Sequence, residues 1–242
     1  MEYQTSEWNG FRRLDFTFEE RGAVAVRPEK TCAGGKWLFK TEYFGAFPSF
    51  EIEMLKRGYH LFYIKNISRW CLPDDIDVKA RFSEFIIKEF SLNARCMPVG
   101  MSCGGMHAVY FAAKYPEYTA ALYLDAPVLN LLSCPCGVGN ASGEMYLEFA
   151  RDTGMSVSDL INYRNHPIDN VPRLLENHIP VFLVCGDSDN IVPYSENGAV
   201  LEKMYNDAGG VCFKVLKEGC GHHPHGPVDL EPLIRFTEEY YR

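Results

Sequence analysis

Short apolar runs alternate with longer stretches whose apolar residues recur at helical spacing along most of this chain. That alternation constrains the fold most, because it calls for a mostly parallel sheet with helices packed on both faces. Phe11 to Phe18 and Gly22 to Val26 read as two opening strands, a hairpin turning at Glu19 to Arg21. Lys36 to Lys40 and Tyr59 to Ile64 read as strands, with a helix over Phe50 to Lys56 between them, ended by Gly58. Ile76, Ala80, Phe85, Ile86 and Phe90 mark a helix over Ile76 to Phe90. Strands then follow at Cys96 to Val99, Ala120 to Leu124, Val181 to Cys185 and Val211 to Leu216. Helices are expected at Met106 to Lys114, Ser195 to Tyr205 and Asp229 to Tyr241. The pattern turns irregular between about residues 130 and 176, which reads as an insertion or small cap on one α/β domain spanning 1–242.

With 242 residues, 47% apolar and 23% charged, the chain can bury a sizeable core. Its net charge of −8 and lack of any basic run argue against nucleic acid as a partner. The polar first ten residues, with Glu2 and Glu7, do not read as a secretory signal, and no apolar stretch is long enough to span a membrane. The nine cysteines are scattered and odd in number, which suits free thiols in a reducing, cytoplasmic setting. Oligomeric state is left open.

Gly100-Met101-Ser102-Cys103-Gly104 stands between a strand and a helix. A tight turn there lifts the Ser102 hydroxyl clear of the sheet, and the glycines leave room for close backbone approach. The N–H of Cys103 then lies at a helix N-terminus, where it can hold an oxyanion. A serine nucleophile needs a base, and the base needs an orienting carboxylate. Gly186-Asp187-Ser188-Asp189-Asn190-Ile191-Val192-Pro193 offers two carboxylates just past one strand. Gly221-His222-His223-Pro224-His225 offers three imidazoles just past the next. Cys220 and these histidines also suggest a metal, but His222 and His223 are adjacent and expected to point apart, so no metal and no cofactor is assigned. Cys134-Pro135-Cys136 has a one-residue spacer, unlike a redox or zinc pair.

On the elbow, the Gly-x-x-Asp-x-x-Val-Pro run and the Gly-His pair, the chain resembles the α/β-hydrolase superfamily over nearly its whole length. The resemblance implies the acid three positions after Gly186, Asp189, and the base directly after Gly221, His222. Asp187 is then a turn-capping carboxylate. There is no His-Gly-Gly run after the third strand, so a second oxyanion donor is sought near Thr41, Glu42 or Tyr43. The aromatic-rich Trp37 to Phe44, the Asp125-Ala126-Pro127-Val128 strand end and the His-His-Pro-His run look more like small bacterial carbohydrate-ester hydrolases. The implied activity is hydrolysis of a small-molecule ester with a short acyl group, its sugar or phenolic alcohol resting on Tyr43, Phe44 and Trp70. A polar insertion would cover a fatty chain poorly. Two alternatives remain: a serine peptidase of prolyl-oligopeptidase type, against which the lack of a propeller or long amino-terminal extension counts, and a non-catalytic binding protein of hydrolase fold.

Overall fold

The computed structural model describes residues 2–241. Nine strands form one sheet in the order β1 (Gln4–Trp8), β2 (Phe11–Phe18), β3 (Arg21–Arg27), β5 (His60–Ile64), β4 (Trp37–Lys40), β6 (Met97–Met101), β7 (Leu122–Asp125), β8 (Val181–Gly186), β9 (Cys212–Lys217). The first three run antiparallel, and β3 pairs antiparallel with β5. From β5 to β9 every pairing is parallel. This is the α/β-hydrolase fold.

Strand period sorts side chains between the two faces. Leu38 joins Leu61, Val99, Tyr123 and Val184 under helices α1 (Ser49–Lys56) and α8 (Glu231–Tyr240). Its neighbours Trp37 and Phe39 point the other way, toward α2 (Pro73–Phe90) and α3 (Cys103–Lys114). Leu201 and Tyr205 of α7 (Gly198–Asp207) cover the far end of that face. Both faces of the central strands are therefore apolar, which is why they read as continuous apolar runs.

The sequence reading places these strands and helices within a few residues; β1 and the starts of α2, α3 and α7 differ most. β1 was not foreseen, because its Gln4, Thr5, Ser6 and Glu7 are exposed edge residues held only by pairing with β2. Helix α2 starts three residues before Ile76. Pro73 sits in its first turn, and the Asp75 carboxylate accepts the Leu72 N–H at 3.0 Å. Between β7 and β8 lie three short helices, α4 (Tyr146–Thr153), α5 (Val157–Asn162) and α6 (Val171–Glu176). Phe149 of α4 and Leu160 of α5, with Leu131 of the preceding loop, pack on Trp70, Cys103 and Met106, while Val171 and Leu174 of α6 pack with Ala108 and Leu201. Among the described residues no helix is long and apolar enough to cross a membrane, and all nine cysteines are free thiols.

Candidate active site

Ser102 stands between β6 and α3 with φ 53° and ψ −121°. A side chain in that region is strained and is held there by its surroundings. The Ser102 N–H donates to Asp125 O at 2.9 Å, and Val128 N–H donates to Ser102 O at 3.0 Å. Glycine is required beside it. A Cβ on Gly100 would meet Gly104 O at 2.5 Å, and one on Gly105 would meet the Pro127 side chain at 2.4 Å.

The loop after β8 brings Asp189, and the loop after β9 brings His222. His222 Nδ1 lies 2.8 Å from Asp189 Oδ2, and His222 Nε2 lies 3.0 Å from Ser102 Oγ. The other Asp189 oxygen accepts the Ile191 and Val192 N–H groups, both at 2.9 Å. Burial pushes the Asp189 carboxyl up, but the His222 bond and charge and these two amides hold it below its ordinary value. It therefore stays ionised and fixes the imidazole with Nδ1–H toward itself and the Nε2 lone pair toward the serine. Asp187 is exposed and braces the two loops instead, accepting Gly219 N–H and Ser188 Oγ–H at 2.8 Å each.

The loop after β4 closes the other side. Thr41 is buried, and its N–H is already given to Val99 O at 3.1 Å; its hydroxyl donates at 2.7 Å to Gly104 O. That removes Thr41 from the candidate oxyanion donors and pins the loop to the elbow helix. Glu42 is bound through its carboxylate to Asn66 Nδ2, which also donates to Thr41 O at 2.8 Å. Lys79 Nζ, fully buried, donates to Asn66 Oδ1, to Asp75 O at 3.0 Å and to His107 Nδ1 at 3.3 Å. Sequence reasoning missed this chain of polar groups, because its members come from four separate elements. Tyr43 has φ 55° and places its phenol beside the Cys103 thiol and Arg69. Burial pushes Cys103 up to about 11, so it is a neutral, packed thiol and no rival nucleophile.

Two aromatics expected to meet a substrate ring are occupied by the protein itself. Trp70 is 3% exposed, edge-on to Phe149, with its indole N–H on Glu148 at 3.1 Å. Its loop position gave no sign that the insertion would fold over it. Phe44 packs between Trp8 and Tyr63, with Arg13 over its ring. A cavity of about 560 Å³ lies behind Trp70, Met106, Leu131 and Phe149; Ser102, Asp189 and His222 do not line it.

His222 and His223 do not diverge, contrary to the sequence expectation. Lys217 Nζ holds the carbonyls of Pro224 at 2.5 Å and Gly226 at 3.1 Å, curling the loop back. Buried Asp125, at the end of β7, takes His225 Nδ1 at 2.7 Å and Gly226 N–H at 2.6 Å. The rings of His222, His223 and His225 end up with all three centroid separations at 4.9 Å. The Asp125–His225 pair was not foreseen; the only sequence sign was an Asp at a strand's carboxyl end.

The sequence profile of the prolyl oligopeptidase family matches residues 65–228. No curated protein matches the chain significantly. Among solved structures, acylaminoacyl peptidase from Pyrococcus horikoshii superposes with TM-score 0.68 at 14% identity, over 98% of this chain and 42% of that one. A puromycin hydrolase gives 0.66 at 18% identity, over 92% and 36%. Dipeptidyl peptidase 4 from Porphyromonas gingivalis gives 0.66 at 13% identity, over 99% and 34%. The chain thus spans about two fifths or less of the length of these structures, and at such identities the likeness is one of fold.

Proposed function

Since the chain belongs to the prolyl oligopeptidase family of serine hydrolases, we propose that it cleaves an amide bond of a short peptide or acylated amine through a Ser102 acyl-enzyme. The observation that carries the mechanism is the hydrogen-bonded series from Ser102 Oγ through the His222 ring to Asp189, at 3.0 and 2.8 Å. His222 takes the hydroxyl proton as Ser102 Oγ attacks the substrate carbonyl carbon. Asp189 stabilises the imidazolium. The Cys103 N–H and an amide of the Glu42–Tyr43 turn hold the oxyanion. His222 then returns the proton to the leaving nitrogen, and a water molecule deprotonated by the same imidazole releases the acid.

The peptidase alternative is favoured over a carbohydrate ester by the family match and by the names of the structural neighbours. The argument from a missing propeller has no weight against that match. A second reading, hydrolysis of short-acyl esters, draws support from packing around the nucleophile. Cys103, Val128 and Val192 flank the reacting groups, are no more than 2% exposed and join one apolar cluster, which favours a small acyl group. Trp70 and Phe44 are already packed, so no sugar or phenolic alcohol is assigned.

The test compares short peptide p-nitroanilides with p-nitrophenyl esters from acetate to palmitate. Turnover of an anilide, lost on the order of a millionfold in Ser102→Ala, supports the peptidase reading. Turnover of acetate esters with none of any anilide transfers it to the ester reading. A Ser102→Ala protein retaining a tenth of wild-type activity removes both.

A further inference from the structure

We propose that His222, His223 and His225 form a binding site for zinc or a similar borderline divalent cation, and that its occupancy switches hydrolysis off by taking His222 away from Ser102.

The ring geometry is the first support. One ligand nitrogen from each histidine lies within 4.8 Å of the other two. The rings are 4.9 Å apart pairwise and steeply inclined, at 66°, 80° and 89°. Tetrahedral zinc, with Zn–N of about 2.0–2.1 Å, spaces its imidazole centroids about 5 Å apart and its ligand nitrogens about 3.4 Å apart. The rings thus already stand at the spacing zinc needs, and only a turn of the nitrogens toward a common centre is required. His223 is the exposed member, its ring stacked on Phe47 at 5.6 Å instead of bonded to a carboxylate, so it is the ring that turns.

The second support is the set of groups behind the rings. Histidine ligands in zinc sites commonly give their other ring N–H to a carboxylate, which fixes the tautomer and raises ligand basicity. Two of the three rings here have that partner. Asp189 takes His222 Nδ1 at 2.8 Å, and Asp125 takes His225 Nδ1 at 2.7 Å. Both carboxylates are buried, their side chains 1% exposed. With Nδ1 taken by the carboxylate, Nε2 is the ring nitrogen that each of these two histidines has for a cation. Gly226 N–H and Tyr123 Oη–H, at 2.6 and 3.1 Å, hold the second Asp125 oxygen in place. The bare hydrolase mechanism makes no use of the Asp125–His225 pair, and a metal site does.

The cost to catalysis follows from the shared atom. His222 Nε2 accepts from Ser102 Oγ at 3.0 Å. A cation on that lone pair leaves the serine without a base, while a water or the Ser102 hydroxyl completes the tetrahedron. The inhibitory half of this inference rests on the roles proposed for Ser102 and His222; the binding half does not.

The test titrates zinc into Ser102→Ala protein by calorimetry, repeats it with cobalt as an optical probe, and measures wild-type hydrolysis over the same zinc range. Expected are one-to-one binding, the visible bands of tetrahedral cobalt with no thiolate band, and inhibition reversed by a chelator. His223→Ala should weaken zinc binding and raise the half-inhibiting zinc concentration by at least about tenfold. Asp125→Asn, removing a supporting carboxylate, should weaken binding by about 10–100-fold. A thiolate band, or unchanged zinc affinity in both His223→Ala and His225→Ala, overturns the site. Binding without inhibition overturns the switch. Should Ser102→Ala keep its activity, the triad falls while calorimetry still reports the metal.

Discussion

Replacing Asp189 by Asn tests whether its carboxylate is the one that orients the proposed base. The native carboxylate takes two amides with Oδ1 and the His222 ring with Oδ2. An Asn side chain keeps its oxygen on the Ile191 and Val192 amides and turns its NH₂ toward His222 Nδ1. Nδ1 must then accept, so the ring proton moves to Nε2 and points at Ser102 Oγ. The serine faces a donor where it needs an acceptor. In a Ser-His-Asp site that reversal lowers turnover by about 10⁴-fold, equivalent to about 5 kcal/mol on the barrier. Because the two amide bonds persist, folding stability should change little. Asp187→Asn is the control: its exposed carboxylate accepts Gly219 N–H at 2.8 Å, a bond an amide oxygen can keep, and turnover should stay within a few-fold. The assay is kcat on an activated ester or anilide for both variants, with urea unfolding run alongside. Equal losses, or a larger loss in Asp187→Asn, would refute the assignment.

Gly105→Ala should destabilise the protein by about 1–3 kcal/mol or more, since its Cβ would stand 2.4 Å from the Pro127 side chain; urea unfolding at wild-type stability would show that the elbow has slack. Burial holds the Lys79 ammonium down to about 8 from 10.5. Between those values the unfolded chain carries a proton that the native one has shed, so this group's contribution to stability rises with pH. The stability of wild type minus Lys79→Met should therefore increase from about pH 8 to about pH 10, as measured by chemical denaturation; a flat or falling difference would mean that the native ammonium keeps its proton. Prolonged chelation should leave hydrolysis intact, because the triad generates its own nucleophile; loss restored by added zinc would make the histidine cluster an activating site.

What could be read in advance follows from where the information lies. Central strands such as β4, with Leu38 and Phe39, and β8, with Phe182 and Leu183, are apolar on both faces and announce themselves locally, as does the strand–glycine–serine–helix elbow. The spacings Gly186 to Asp189 and Gly221 to His222 are also local. By contrast, β1 owes its existence to pairing with β2, and its residues before Trp8 are all polar and exposed. Trp70 became core only because α4 folds over it. The Lys79–Asn66–Glu42 chain and the Asp125–His225 bond join residues from helix α2 and from separate strand ends and loops, and no period or motif in a single stretch encodes such meetings.

The contact between Ser102 and His222 bridges 120 positions of chain, and the base arrives on the loop following β9, a strand paired only with β8 and exposed at Phe213 and Leu216. While the polypeptide leaves the ribosome, the proposed nucleophile is therefore made long before its proposed base, and the nascent chain should be inert until that edge strand docks. The same geometry works in reverse under stress. Edge segments open at lower free energy than the centre of a sheet, so mild heating should silence the enzyme while most of its ordered structure survives.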